Sequence, residues 1–311
     1  MKFARRGHGS EGDAMKFRNS YHPWAVATIL FWSLAYVLTR LALKHFSAFP
    51  LGFLRYFAAS CAMLVTLLIQ RSNLPEKRDW GWFLLGGAVG FFLYMLAFNK
   101  GCETVTAATG SVIIATVPVM TALLARFFHG EKLRPFQWAA MAVEFSGVAI
   151  LTLMDGVFSV NAGLMYLLGA AVLLSVYNLV QRRLTRRYTG LQASAYSVFC
   201  GTLMLAIFSP QAVSEAATAS PVQLIYVVVL GVFSGAVAYV AWANAFARAE
   251  KASQVSNYMF VTPLLTAILG FLMANEVPDR GTLIGGGIIL AGVALFNFGG
   301  ALFQKANVSS L

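Results

Sequence analysis

Charge is what this chain has least of. Only 11% of its 311 residues are Asp, Glu, Lys or Arg, against roughly 25% in soluble domains. So few charges cannot cover a water-facing surface, which excludes an ordinary soluble globule. Acid is scarcer than base, 12 residues against 23. The bases fall in short tracts between apolar runs and do not collect on one face, which excludes a nucleic-acid partner. Cysteine is scarce too. Cys61, Cys102 and Cys200 lie in or beside apolar segments without paired spacing, so they read as small packing residues, and no disulfide or metal framework is indicated. The four histidines, His8, His22, His45 and His129, fall in the N-terminal tail or at the ends of apolar runs. No H-E-x-x-H, G-x-S-x-G or paired buried acids accompany them, so an intramembrane enzyme lacks its machinery and no cofactor is expected.

What the chain has in abundance is hydrocarbon. Hydrophobic residues make up 59% of it and the mean hydropathy is +0.70, so lipid is its main solvent and a partner along most of its surface. Crossing a bilayer takes about 20 apolar residues in a helix. Ten stretches qualify: Pro23–Leu43, Pro50–Ile69, Trp80–Phe98, Val105–Phe128, Pro135–Met154, Ala162–Val180, Leu191–Ser209, Val222–Phe246, Ala252–Met273 and Gly281–Phe303. The fold class read from this pattern is an all-α membrane protein of ten transmembrane helices. Residues 1–22 read as a disordered cytoplasmic tail and 304–311 as a second tail. The first apolar run exceeds a signal-peptide core and no A-x-A site follows it, so it stays as an anchor. With the N-terminus inside, 18 of the 23 basic residues fall on the cytoplasmic side. The positive-inside rule then puts both termini in the cytoplasm and the chain in the inner membrane.

The sequence also matches itself at an offset of 145 residues. Gly86 falls on Gly231, Gly90 on Gly235, Tyr94 on Tyr239, Asn99 on Asn244, Ser111 on Ser256, Pro118 on Pro263, Thr121 on Thr266 and Glu131 on Glu276. Gly147-Val148-Ala149 falls on Gly292-Val293-Ala294, and at a slightly shorter offset Ser33 falls on Ser175 and Arg40 on Arg182. The repeats run over 23–154 and 162–303. Each holds five spans, an odd number, so the halves enter the membrane from opposite sides. Inverted repeats suit a carrier, because two halves related by an in-plane two-fold can exchange conformations around a central site.

The stretch Val117 to Ile150 resembles the EamA-type members of the drug/metabolite transporter superfamily. The elements that carry the resemblance are Val117-Pro118, Gly130-Glu131 and Gly147-Val148, repeated as Thr262-Pro263, Asn275-Glu276 and Gly292-Val293. Asn275 departs from the usual Gly. Arg55, within Pro50-Leu-Gly-Phe-Leu-Arg55, looks like the arginine that family members carry early in the second helix. The resemblance implies ten helices around a central cavity, usually exporting amino acids or other metabolites.

Candidate residues follow from position and polarity. Trp32, Tyr36, Tyr94, Tyr239 and Trp242 recur at helical spacing on spans expected near the centre, where packing competes with a role in the solute pathway. Asn99 and Asn244 occupy matched positions and, with Asn257, supply amides that are costly in lipid unless they face inward. Pro118 and Pro263 fall inside apolar helices, where each removes a backbone bond, and read as hinges. The Gly86-x-x-x-Gly90 and Gly231-x-x-x-Gly235 pairs read as close-packing surfaces. Glu144, the one carboxylate well inside a span, is expected to have a structural partner such as a base or hydroxyl. Arg55 is expected near the outer face, within reach of water by snorkelling. Glu131 and Glu276 read as helix caps.

The function expected from these features is carriage, chiefly export, of a small metabolite such as an amino acid, with a homodimer left open. The rivals are an intramembrane enzyme, which lacks its machinery here, and a scaffold or receptor, which would not require inverted repeats. A nearly charge-free aromatic cavity would favour a zwitterionic or neutral solute, and sugar phosphates should be poor ones.

Overall fold

The computed structural model describes residues 20–129, 134–154, 162–249, 255 and 257–308. All regular structure among them is helical. In chain order the helices are α1 (His22–Ala42), α2 (Ala48–Ile69), α3 (Lys77–Cys102), α4 (Ala107–Ile114), α5 (Val117–His129), α6 (Pro135–Met154), α7 (Ala162–Leu184), α8 (Gly190–Leu205), α9 (Ser209–Thr218), α10 (Pro221–Arg248), α11 (Val261–Ala274) and α12 (Arg280–Val308). Among the described residues seven segments are long and apolar enough to cross a bilayer: α1, α2, α3, Ala107–Leu124, α7, Gly190–Thr218 and α10. Val261–Ala274 and Arg280–Phe296 are shorter apolar helices. The tail expected at 304–311 begins inside helix, because α12 runs to Val308. The expected N-terminal tail lies almost wholly outside the described residues.

Helix starts follow local chemistry. Thr189 and Gln192 form a reciprocal capping box at α8, Thr106 caps α4 through Thr109, and Ser220 with Pro221 at the first position opens α10. Asp279 Oδ1 accepts the Thr282 amide at 2.6 Å and caps α12. Glu215 of α9 reaches across to accept from the Ser47 amide at 2.9 Å, just ahead of α2. No propensity pattern predicts that cap, which is supplied from 168 residues away.

Lipid tails are as apolar as leucine, so burial of apolar area does not hold such helices together; close packing must. Accordingly Leu68, Ile69, Leu203 and Ile207 face outward, while glycines line the contacts. A Cβ added at Gly87 would stand 2.7 Å from the Gly201 backbone nitrogen, and one at Gly292 would stand 2.7 Å from that of Glu144. α6 and α12 form the most extensive helix pair in the described residues, joined through Gly147 and Gly292.

Two irregularities shape the centre. α3 contains a π-helical turn at Ala88–Leu93 and α10 one at Leu230–Val237, overlapping positions under the 145-residue offset. A π-turn inserts an extra residue per turn and so rotates the face that follows it. Tyr94 comes directly after the first turn, and Tyr239 follows the second with one residue between.

Candidate functional site

At the centre α1, α2, α3, α4, α7, α10 and α11 surround a small cavity. Trp32 and Tyr36, four apart on α1, present one face to it. Tyr94 and Phe98 enter from α3 and Tyr239 from α10. The free space is about 20 Å³, room for about one water, so the helices here are drawn together. The aromatic wall is made of two ring groups. Trp32 meets Tyr239 edge-on at 5.3 Å between ring centroids, and Tyr36 meets Phe98 at 5.3 Å. Tyr94 stacks on Phe98 at 5.5 Å. Phe91 and Tyr177 brace Tyr239 from behind, at 4.9 and 6.0 Å.

Of the residues singled out in the sequence, Trp32, Tyr36, Tyr94 and Tyr239 therefore come together, and the others stand apart. Trp242 is buried between Trp32, at 5.1 Å, and Phe246, at 5.0 Å, and does not line the cavity. Asn99 is buried and donates to the Ala48 carbonyl at 2.7 Å, tying α3 to the start of α2. Asn244 borders a separate lateral groove with Trp24 and Gln70 and accepts from Arg248 at 3.1 Å. The side chain of Asn257 lies outside the described residues. The two asparagines follow their tyrosines by five residues, more than a full turn, which carries them off the cavity face.

Arg55 departs from its expected place. It is only 4% exposed, seven residues and hence about 10 Å into α2, and it lines the cavity. Its guanidinium lies 5.6 Å from the Tyr56 ring centre. Among the described residues Nε and Nη1 have no hydrogen-bond partner, and neither does Oγ1 of Thr262, which also lines the cavity. Snorkelling fails because α2 is covered at this level by α10, whose Gly231 packs against the Arg55 carbonyl.

The prolines do not sit in mid-helix. The fourth span breaks at Ala115–Thr116, and Pro118 is the second residue of α5. Pro263 is the third residue of α11, after a 3-10 turn at Asn257–Phe260. In a first turn proline gives up an amide that has no helical partner anyway. The carbonyls before them are held by matched serines from the opposite half: Ser175 Oγ donates to Val117 O at 3.2 Å, and Ser33 Oγ donates to Thr262 O at 3.5 Å.

Glu144 also differs from expectation. It is fully buried between α6 and α12, yet neither carboxylate oxygen has a partner among the described residues. The tight glycine contacts of this helix pair bring backbone, not a base, to its side. Glu276, expected to cap its own helix, leaves that cap to Asp279 and serves the start of α4 instead. Its carboxylate accepts from Arg40 Nε at 2.9 Å and from the Ala107 amide at the start of α4 at 2.8 Å. Arg40 further donates to the Cys102 and Glu103 carbonyls at 2.7 and 3.0 Å. Because Trp32, Tyr36 and Arg40 share one face of α1, this network lies a turn beyond Tyr36. Asn275, at φ 53°, makes the turn into Glu276, a left-handed conformation that Asn tolerates in place of Gly. Glu131 lies outside the described residues.

The model of the EamA-like transporter family matches residues 19–153 and again 161–298. A protein of Streptantibioticus cattleyicolor, named "Probable terminal-alkyne amino-acid exporter", is 33% identical over 275 residues, 88% of this chain and 92% of that one. An "S-adenosylmethionine uptake transporter" of Rickettsia bellii is 24% identical, covering 89% of this chain and 93% of its own. A solved crystal structure superposes with a TM-score of 0.61 at 18% identity, covering 89% of this chain and 96% of that one, a likeness of fold alone.

Proposed function

Because the chain belongs to the EamA-like transporter family, and is thereby an integral membrane protein that transports a small solute, we propose that it exports an amino acid or a closely related molecule by alternating access. The single observation that carries this reading is the central cavity, walled by α1 to α4 from the first family match and by α7, α10 and α11 from the second. A site shared between halves changes its exposure when the halves rock against each other. The relative named an amino-acid exporter supports both the solute class and the direction. The ten-span, two-repeat arrangement belongs to the same proposal, with Pro118 and Pro263 as hinges beside the serine-held breaks.

Trp32, Tyr36, Tyr94 and Tyr239 supply the contact surface. Their faces accept an apolar or planar side chain and attract an ammonium by about 0.5–2 kcal/mol. The test is competition for flux in proteoliposomes among an aromatic amino acid, an aliphatic amino acid, a sugar phosphate and a quaternary amine. The aromatic amino acid is expected to compete best and the sugar phosphate worst. Preference for the sugar phosphate would overturn the reading, and equal inhibition by all four would assign the aromatics to packing.

Orientation gives a second test. Reporters at both termini are expected in the cytoplasm, and one near Glu215 outside it, since the basic tracts lie on the terminal side. Termini on opposite sides would remove the even number of crossings and the two-repeat arrangement with it.

A further inference from the structure

We propose that Arg55 binds the carboxylate of the transported solute, with the Thr262 hydroxyl as a second donor, so that the cavity selects monoanionic carboxylate groups. The inference rests on the cavity being the solute site. Four observations meet here. Arg55 is 4% exposed and lines the cavity. Two of its guanidinium nitrogens have no partner among the described residues. Thr262, on the facing half of the fold, is 5% exposed and likewise leaves its Oγ1 unpartnered. The remaining wall is aromatic and aliphatic.

A buried charge without a counter-charge is costly. A buried lysine or glutamate escapes that cost by becoming neutral, whereas a guanidinium keeps its proton in proteins. Arg55 therefore remains a cation in a nearly closed apolar space with only the Tyr56 ring recorded against it among the described residues, and an anion that enters the cavity would compensate it. Its planar fork matches a carboxylate with two parallel hydrogen bonds. One cation compensates one negative charge. The neighbouring bases are committed elsewhere, Arg40 to Glu276 at 2.9 Å and Lys100 to Glu103 at 2.6 Å. Dianions such as a sugar phosphate thus carry a charge that nothing in the cavity offsets. An amino acid placed with its carboxylate on Arg55 and Thr262 leaves its ammonium and side chain to the rings of Trp32, Tyr36 and Tyr94.

The experiment compares phenylalanine and leucine with their carboxamides, which keep the ammonium and side chain but lose the negative charge. Binding is read as ligand-induced thermal stabilisation of the purified full chain in detergent, and flux is read separately in proteoliposomes. In the wild type, acids are expected to bind about 30- to 100-fold more tightly than amides. Arg55→Gln should erase that ratio by weakening the acids alone, and Arg55→Lys should keep part of it. Equal binding of acid and amide by the wild type, or binding of neither, would overturn the proposal. So would a folded Arg55→Gln protein that retains the ratio. If Arg55→Gln does not fold, the wild-type ratio decides. Acid-selective binding without flux would uphold Arg55 as a carboxylate site while overturning the transport mechanism.

Discussion

Glu276→Gln is expected to raise the reactivity of a cysteine placed at Ala35 about 10- to 100-fold toward a membrane-impermeant thiol reagent added from the extracytoplasmic side. The reason is the geometry at the end of α1. Glu276 joins Arg40 and the first amide of α4 through charge-assisted bonds of 2.9 and 2.8 Å. The two side chains are 26% and 15% exposed, so solvent screens the pair only in part. Losing a hydrogen bond to a charged group costs about 1.5–3 kcal/mol. At about 1.4 kcal/mol per decade, that shifts a two-state equilibrium by roughly 10- to 100-fold, provided the bonds exist in the closed state alone. Ala35 lines the cavity and is 4% exposed, so its labelling reports opening. The measurement is made with Cys61, Cys102 and Cys200 replaced. Unchanged labelling would show that the network does not hold this end shut. Faster labelling only from the cytoplasmic side would reverse the proposed orientation.

Gly231→Ala is expected to destabilise the protein by about 1–3 kcal/mol and to lower folded yield, the ordinary cost of overpacking. The new methyl would stand 2.5 Å from the Ala58 Cβ, 2.6 Å from the Arg55 carbonyl and 3.2 Å from the Ala59 amide nitrogen. Two of these are backbone atoms and the third is fixed to backbone, so relief requires α2 and α10 to move apart. In lipid no hydrophobic force compensates the lost close contact. Gly169→Ala in α7 is the control, because a Cβ there meets nothing within 4 Å. It should be neutral or stabilising by about 0.5–1 kcal/mol, as alanine restrains the helix better than glycine. Thermal unfolding in detergent, followed by size-exclusion fluorescence, separates the two. Equal melting temperatures would mean that the α2–α10 contact adapts.

Legibility divides along the range of the forces. Hydropathy sums over consecutive residues, and the observed α1, α2, α7 and α10 begin within two residues of the expected spans. Trp32, Tyr36, Tyr94 and Tyr239 were visible as aromatics deep in central spans, since helical spacing alone places Trp32 above Tyr36. The chemistry that joins segments was not visible. Periodicity counts 3.6 residues per turn and knows nothing of the π-turns that rotate Tyr94 and Tyr239. Asn99 and Asn244 stand out in the sequence by polarity and matched position, yet the five-residue step from each tyrosine turns them off the cavity face. Arg55 read as a peripheral base because its depth along α2 suggested water nearby; only the seating of α10 against it removes that water. Glu144 reads as paired because isolated charges are costly, yet among the described residues its carboxylate has no partner where Gly292 of a distant helix packs on its backbone. The Arg40–Glu276 bond spans 236 residues. By itself, then, the sequence determined the lipid environment, where α1, α2, α7 and α10 begin, the family and the aromatic character of the centre, because each follows from local composition or local spacing. Tertiary structure alone decided which polar atoms meet and which are left without partners, because those outcomes depend on how closely distant backbones approach.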